Sequence, residues 1–579
     1  MSAFALTRQM GCSIMQGMST SDHQDSKLPA GEDAATWYAR RPWVVHYPNS
    51  MPRDVDIEAG ATMLSLLQAA CREHADGIAF EFDGELLTFR EWLQRADALA
   101  RFFVHEWRLE AGDRVLFMLP NLPAFPIALL AAWIAGLAVM PVYVAATTQE
   151  LEGPIAAIAP KAIVGLDVLM PTVRAARGAH AMRELVVSAP AEFFGIAAPG
   201  PAHAVAFEEA IRAGAAMEPV QRIVRPDDLA LMSYTGGTTG VSKAVRTTHA
   251  NMRAGIEILR ITMAEHTCGA GGLVASVHPF SHAAGMSVNL LQYSSRGVTQ
   301  LLFPKMVDAE RVVAAWRERP INSILAGPAF HNRLMATPGF AELDFSALRS
   351  GLVGGMPLRA DIRDRFEQIT GKPLLQGYGL TETSVPIAGE LGFERHVGSI
   401  GFPFPSVELT MRDPDQADLR AVPPGAIGEV WLRGPFMMSG YYQRPDETAR
   451  AITADGWFRT GDLGRMEASG ALYLLGRIKD MILVDGANVY PAAIEDVVGA
   501  HPGIADVCAV GMADEEDGER VRLFVVRRDP ALDEAGVAQW CAERLSHFKL
   551  PKRIEFVDAL PRSAVDKLLR RELSDRPLT

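Results

Sequence analysis

Cysteine is scarce in this chain. Cys12, Cys71, Cys268, Cys508 and Cys541 are scattered through 579 residues with no C-x-x-C pair. This excludes a zinc ribbon and a disulfide framework, and it fits free thiols in a reducing compartment, so a cytoplasmic location is expected. Positive charge is also short. Against 69 Asp and Glu stand 56 Lys and Arg, a net charge of −13. A chain without a basic excess is not expected to bind a nucleic-acid backbone. Long uninterrupted apolar runs are missing too. From Val115 to Gln149 no residue is charged, yet Pro120, Pro123, Pro126, Gly136 and Pro141 cut the stretch. The longest proline-free piece, Ile127 to Met140, falls short of the ~20 residues a spanning helix needs. It reads instead as a buried βαβ unit: strand "RVLFML", helix "AFPIALLAAWIA", strand "AVMPVYV". No transmembrane segment is expected, although peripheral membrane contact stays compatible with the sequence. The opening "MSAFALTRQMGCSIMQGM" has Arg8 and Gln9 where a signal peptide needs an apolar core. The polar "STSDHQDSKLPAGEDA" follows, and residues 1–40 are read as a disordered extension.

What is present is the composition of an ordinary globular protein, 49% apolar and 22% charged. The length exceeds what one core supports, so at least two domains are expected. Apolar strand-like runs ("KAIVGL", "ELVVSA", "LVASVHPF", "GVTQLLF") alternate with amphipathic helical stretches such as "TFREWLQRADALARFFVHEW" and "DAERVVAAWRERP". That alternation predicts stacked α/β layers with partly parallel sheets. Near Val407 the texture changes to short strands and turns ("VELTMRD", "GEVWLRG", "GALYLLGR"), a small β-rich, barrel-like subdomain. The last hundred or so residues read as a compact α+β unit, with the boundary near Gly476 to Lys479. The expected division is therefore residues 1–40, a multi-subdomain α/β region over 41–478, and a small mobile unit over 479–579.

One stretch carries chemistry on its face. "SYTGGTTGVSKAV", residues 233–245, sets threonines and glycines ahead of a lysine. It misses the P-loop spacing, because Ser242 precedes Lys243 and Ala244 follows it. Exposed N–H groups, hydroxyls and one compact cation still suit a polyanion such as the phosphate tail of ATP. "GYGLTETS" at 377–384 puts Thr381 and Glu382 on a glycine-flanked turn, and a carboxylate there suits Mg²⁺, which takes oxygen ligands together with substrate phosphates. "GWFRTGDLG" sets Asp462 between glycines, where a lone aspartate can accept from both ribose hydroxyls. "GRIKDMILVDGANVYPAAIE" offers Arg477 and a hinge. "LPRSAVDKLLRREL" places Lys567 before a short basic helix. Taken singly, each has an ordinary explanation: a Gly/Thr turn, a solvated turn carboxylate, a surface lysine.

In this order the motifs resemble the adenylate-forming superfamily of acyl-CoA synthetases, peptide-synthetase adenylation domains and luciferases, from about "RPWVVHYPNS" to "RRELSD". They are most similar to bacterial medium- and long-chain fatty acyl-CoA ligases. The resemblance implies ATP, Mg²⁺ and coenzyme A as cofactor and co-substrates. It also implies residue roles. Thr235, Gly236, Gly237, Thr238, Thr239 and Lys243 would hold pyrophosphate oxygens. Gly354, Gly355 and Met356 would line the adenine and acyl pocket, and Tyr378 would pack on adenine. Thr381 and Glu382 would meet the α-phosphate and the metal, while Asp462 and Arg477 would bind ribose. Lys479 would be the hinge, Gly486 would line a pantetheine tunnel, Lys567 would be the catalytic lysine, and His282 in "HPFSHAAG" would face the acyl pocket.

The implied activity is formation of acyl-AMP from a carboxylic acid and ATP, then transfer of the acyl group to a thiol. Between His278 and Leu290 no residue is charged, and Ala283, Ala284, Gly285 and Met286 are small or apolar, as is "AGPAF" at 326–330. A buried ammonium would lack a partner there. A hydrophobic acid is favoured, with aryl and polycyclic acids still open. The thiol acceptor is open between coenzyme A and an acyl carrier protein. The sequence departs from the family at Ser242, Ala244 and Asp566, and a carboxylate beside Lys567 would raise its pKa. That departure keeps a further alternative, a non-catalytic binding protein of the same fold.

Overall fold

The computed structural model describes residues 28, 32–188, 204–234, 243–304, 308–390, 395–414, 416, 419–485, 487–514, 518–562 and 568–577. The uncharged stretch after Val115 resolves as strand Arg114–Met118, helix Ala124–Ile134 and strand Ala138–Pro141. Every residue of that helix is buried. Two indoles anchor it by hydrogen bonds: Trp92 Nε1 donates to the Pro126 carbonyl of the helix at 2.9 Å, and the helix's own Trp133 Nε1 donates to the Ala230 carbonyl at 3.0 Å. Among the described residues no helix is long and apolar enough to cross a membrane.

Strand Arg114–Met118 lies near the middle of a seven-stranded sheet. Its neighbours pair in parallel, except that Leu229–Tyr234 and Ala244–Thr248 form an antiparallel edge. A nine-stranded sheet follows, with a parallel centre that includes Leu273–Ser276, Ser323–Ala326, Ser350–Gly354 and Leu374–Gly379. The helices between are set by local chemistry. Helix Phe89–His105 starts at a capping box in which the Thr88 hydroxyl accepts from Glu91 N–H and the Glu91 carboxylate accepts from Thr88 N–H. The small β-rich region takes the form of an open antiparallel sheet of four strands, Glu408–Arg412, Ile427–Arg433, Phe458–Met466 and Leu472–Arg477. The last sheet is built only from residues 482–556 and encloses its own apolar cluster, including Ile494, Val507, Leu523 and Val537.

One part of the expected N-terminal disorder is not observed. Ala34–Ala39 form a helix capped by Asp33, whose carboxylate accepts from Thr36 N–H at 2.8 Å. Trp37 and Tyr38 are buried there. The polar character of the preceding residues hid two large side chains whose burial orders the segment.

Candidate active site

The site is built where the two large sheets and the four-stranded sheet meet. Strand Leu374–Gly379 turns back on itself to Pro386–Gly389. Gly379 has no room for a side chain, since a Cβ would come 2.6 Å from the Val385 carbonyl oxygen. The turn carries Thr381–Thr383 as a short 3₁₀ segment, held by Leu380 N–H donating to Thr383 Oγ1 at 2.9 Å and by Thr383 Oγ1 donating to the Val385 carbonyl at 2.8 Å. Ser384 Oγ then meets Thr247 Oγ1 at 2.9 Å, which ties the turn to the edge strand Ala244–Thr248 of the other sheet. Glu382 is presented on this braced turn.

Lys243 stands just ahead of that edge strand. Its Nζ lies 2.8 Å from Glu447 Oε2 and 4.9 Å from the centroid of the Tyr441 ring. The partners arrive because Ser439–Tyr442 hydrogen-bonds along the same strand: Ser439 N–H to Arg246, Arg246 N–H to Gly440, and Tyr442 N–H to Ala244 at 2.9 Å. Ala244 is thus an ordinary buried strand residue. The Tyr441 hydroxyl donates to Glu382 Oε1 at 2.9 Å. Burial first, then the Glu382 and Glu447 carboxylates, push that phenol far up, so it keeps its proton and donates.

Asp462 and Arg477 are direct register partners in the hairpin of Phe458–Met466 and Leu472–Arg477. Arg477 Nε is 2.9 Å from Asp462 Oδ1, and the Tyr378 hydroxyl donates to Asp462 Oδ2 at 2.6 Å. Burial, and after it the Asp462 charge, raise the Tyr378 hydroxyl well above its usual value of 10.0. Burial alone would lower the Arg477 pKa, but Asp462, Tyr378 and Glu382 together leave it raised. Glu382 therefore acts on both clusters: it accepts from Tyr441 and lies within electrostatic range of Arg477.

His282 lines a cleft together with Ser384 of the Glu382 turn. Its Nδ1 accepts from Ala284 N–H at 3.3 Å and lies 3.0 Å from His278 Nε2. The backbone donor makes Nδ1 an acceptor, which puts the proton of a neutral His282 on Nε2. His278 is wholly buried, and burial, with His282 beside it, holds its pKa well below 6.5. A π-helical segment, Gly285–Tyr293, begins at Gly285, where a Cβ would meet the Pro279 carbonyl oxygen at 1.9 Å. Such segments often mark functional sites. Its uncharged residues are not all apolar, for Asn289 and Gln292 are buried within it. A cleft lined by Leu231, Ser233, Met252, His282, Met286 and Ser384 joins the His282 loop, the strand leading to residue 235 and the turn after Glu382. Gly355 lies at its rim, 3.9 Å from His282 Cε1 measured from an ideal Cβ. Gly354 ends its strand there, and the Met356 carbonyl accepts from Gln376 Nε2 at 3.3 Å.

The structure thus gathers Lys243, Gly354, Gly355, Met356, Tyr378, Thr381, Glu382, Asp462, Arg477 and His282 around one region. Lys479 lies in the 3₁₀ turn Ile478–Asp480 that leads from the four-stranded sheet toward the C-terminal one. Thr235, Gly236, Gly237, Thr238 and Thr239, Gly486, and Lys567 with Asp566 lie outside the described residues. Tyr441 and Glu447 are absent from the motifs read in the sequence. Their only local mark is the run "GYYQRPDET" after Gly440, and it says nothing of the strand edge they join.

The AMP-binding enzyme family matches residues 67–442, and the AMP-binding enzyme C-terminal domain matches residues 493–567. The chain belongs to the AMP-binding enzyme family, within the adenylate-forming superfamily. It is 35% identical over 554 residues to a long-chain-fatty-acid–CoA ligase of Escherichia coli O6:H1, covering 93% of this chain and 98% of that protein. It is 31% identical to a long-chain-fatty-acid–CoA ligase of Bacillus subtilis, covering 92% and 98%. Among solved structures it superposes on ATP-bound MatB from Rhodopseudomonas palustris with a TM-score of 0.79 at 26% identity, covering 89% of this chain and 99% of that one.

Proposed function

We propose that this protein joins a long-chain fatty acid to coenzyme A through an acyl-AMP intermediate. The observation that carries the reading is the meeting, through Glu382, of the Asp462–Arg477–Tyr378 cluster with the Lys243 cluster beside an uncharged cleft. The names and end-to-end coverage of the relatives support the acid and the thiol.

In the first step a carboxylate oxygen attacks the α-phosphorus of ATP, the bond from that phosphorus to the bridging oxygen breaks, and pyrophosphate leaves. Two anions must approach, so positive charge has to be held near the reacting phosphate. Lys243 and Lys567 are the side chains assigned to that task. Asp462 and Arg477 are assigned to the ribose, with Tyr378 alongside the base. Among the described residues no group of three or more His, Cys, Asp or Glu could hold a metal ion. Glu382, presented on its braced turn, would hold Mg²⁺ together with nucleotide phosphates, whose charge the metal would offset. In the second step the thiol sulfur attacks the acyl carbonyl, loses its proton, and AMP leaves.

Residues 479–579 are assigned as the unit that turns between the steps about Lys479, bringing Lys567 in for the first and Gly486 toward the thiol for the second. Met252, Met286 and Leu231 supply apolar wall beside His282. A fatty chain extending from there gains about 0.8 kcal/mol for each methylene it buries.

ATP–pyrophosphate exchange with a panel of fatty, aryl and amino acids tests the reading, followed by mass spectrometry of products with coenzyme A or with a carrier protein as acceptor. Long-chain acids should drive exchange and coenzyme A should be acylated. Exchange that no acid stimulates overturns the assignment, and acylation of the carrier protein alone replaces the acceptor. Lys567→Ala should abolish acyl-AMP formation while sparing much of the thiolysis of supplied acyl-AMP. Equal loss in both half-reactions would refute this division of labour.

A further inference from the structure

Glu447 takes no part in the chemistry above, yet it holds the lysine that does. Its Oε2 lies 2.8 Å from Lys243 Nζ, and its Oε1 accepts from Arg444 Nη1 at 3.1 Å. Both carboxylate oxygens are therefore committed, and the side chain is fixed between two cations. Lys243 is drawn at the same time over the Tyr441 ring, whose hydroxyl is committed to Glu382. The hydrogen bond from Lys243, the largest influence on Glu447, lowers its pKa further, so the carboxylate stays charged throughout the neutral range. The pair is neither sealed nor free: the lysine side chain is 36% exposed and the glutamate 24%. A half-exposed ion pair holds weakly enough to be exchanged for a stronger partner.

We propose that Glu447 is an internal counter-ion that Lys243 gives up when a polyphosphate arrives, and that it thereby lowers the affinity of the site for ATP and for pyrophosphate. The inference rests on the reading of Lys243 as a phosphate contact. A triphosphate brings several negative charges to an ammonium that already carries a carboxylate. The two acceptors compete for the same N–H donors, and the carboxylate left behind repels the incoming anion. Without Glu447 the ammonium would lose its carboxylate partner, and the nucleotide would no longer compete with that anion for it. With it, Lys243 is held in a defined place before the nucleotide arrives, at a modest cost in nucleotide binding. Tight binding of pyrophosphate would slow its release, so the same residue favours departure of the first product.

The test is a two-by-two comparison of the wild type, Glu447→Gln, Lys243→Ala and the double variant in acid-dependent ATP–pyrophosphate exchange. KM for MgATP and the inhibition constant for inorganic pyrophosphate are measured for each. Glu447→Gln keeps the side-chain shape, and its helix, Pro445–Ala451, contributes no buried residue to the core, so the melting temperature serves as a control for folding. The proposal expects Glu447→Gln to lower both constants about two- to fivefold, with the effect on KM exceeding that on kcat. It expects the effect to vanish once Lys243 is alanine. An unchanged or raised KM in Glu447→Gln, or the same gain on the Lys243→Ala background, overturns it. Absence of exchange in the wild type, or an unchanged KM in Lys243→Ala, instead overturns the reading of the site on which it rests.

Discussion

The Asp462 cluster and the Lys243 cluster sit side by side and differ in how deeply the side chain of the paired carboxylate is buried, 9% exposed at Asp462 against 24% at Glu447. Asp462 and Tyr378 are buried, at 6% and 8% exposure, and Asp462 and Arg477 are register partners within a single hairpin. Lys243, Glu447, Tyr441 and Glu382 come from the end of an edge strand, a short helix and two turns, and the ion pair among them is half-exposed. A buried carboxylate cannot be left without partners, so the first cluster is complete before any ligand binds. A half-exposed pair can trade a protein partner for water or a phosphate, so the second is provisional. The contrast suggests a site that receives the nucleoside on a preformed seat and its charged tail on an exchangeable one.

The comparison breaks most severely at Asp462. Asp462→Ala should cost about 3 kcal/mol, near the lower end for a buried ion pair because Arg477 keeps 37% of its side chain exposed. It should appear both as a lower melting temperature and as a KM for ATP raised on the order of a hundredfold. The same substitution made in each cluster then sharpens the contrast. Tyr378→Phe removes the donor to buried Asp462 and should cost about 2 kcal/mol in ATP binding. Tyr441→Phe removes the donor to Glu382, which is only half-buried, and should cost about 1 kcal/mol or less. Equal losses would mean that the two clusters are equally preformed.

Taken residue by residue, the smallest effect is a common background. Burial holds His249 down to about 3 and His331 down to about 4, and His278 well below 6.5. Because their folded pKa values are lowered, these histidines favour the folded state above the unfolded value of 6.5. That contribution is lost as pH falls below 6.5 toward the folded values, since only the unfolded chain takes up the protons. At pH 6 the loss is about 0.8 kcal/mol per histidine. The apparent melting temperature should therefore fall from pH 7.5 to pH 6 in parallel for the wild type and for variants in either cluster. A variant whose slope differs would place a titrating group inside its own cluster.

Much of the fold was legible because its strands and helices announce themselves by period. "RVLFML", "KAIVGL" and "ELVVSA" are continuous apolar runs of the length that buried parallel strands need, and each became one. The site motifs were legible for a different reason: turns with unusual backbone demands require glycine, and chemistry requires Glu382, Asp462 or Lys243 beside it. Trp37 and Tyr38 were missed because their burial depends on a sheet far along the chain. Tyr441 and Glu447 were missed because nothing in "GYYQRPDET" shows that its backbone will pair with Ala244–Thr248.

The order of residues alone determined which segments are strands, which are helices, and which side chains of reactive type stand on glycine-flanked turns, since these depend on steric and apolar preferences within a few neighbours. Only the tertiary structure decided that Tyr378 reaches Asp462 and that Glu382 is shared between two clusters. It also decided that Lys243 already has an anionic partner. Those contacts join residues tens to hundreds of positions apart, and each exists only when separate elements of the fold are packed side by side.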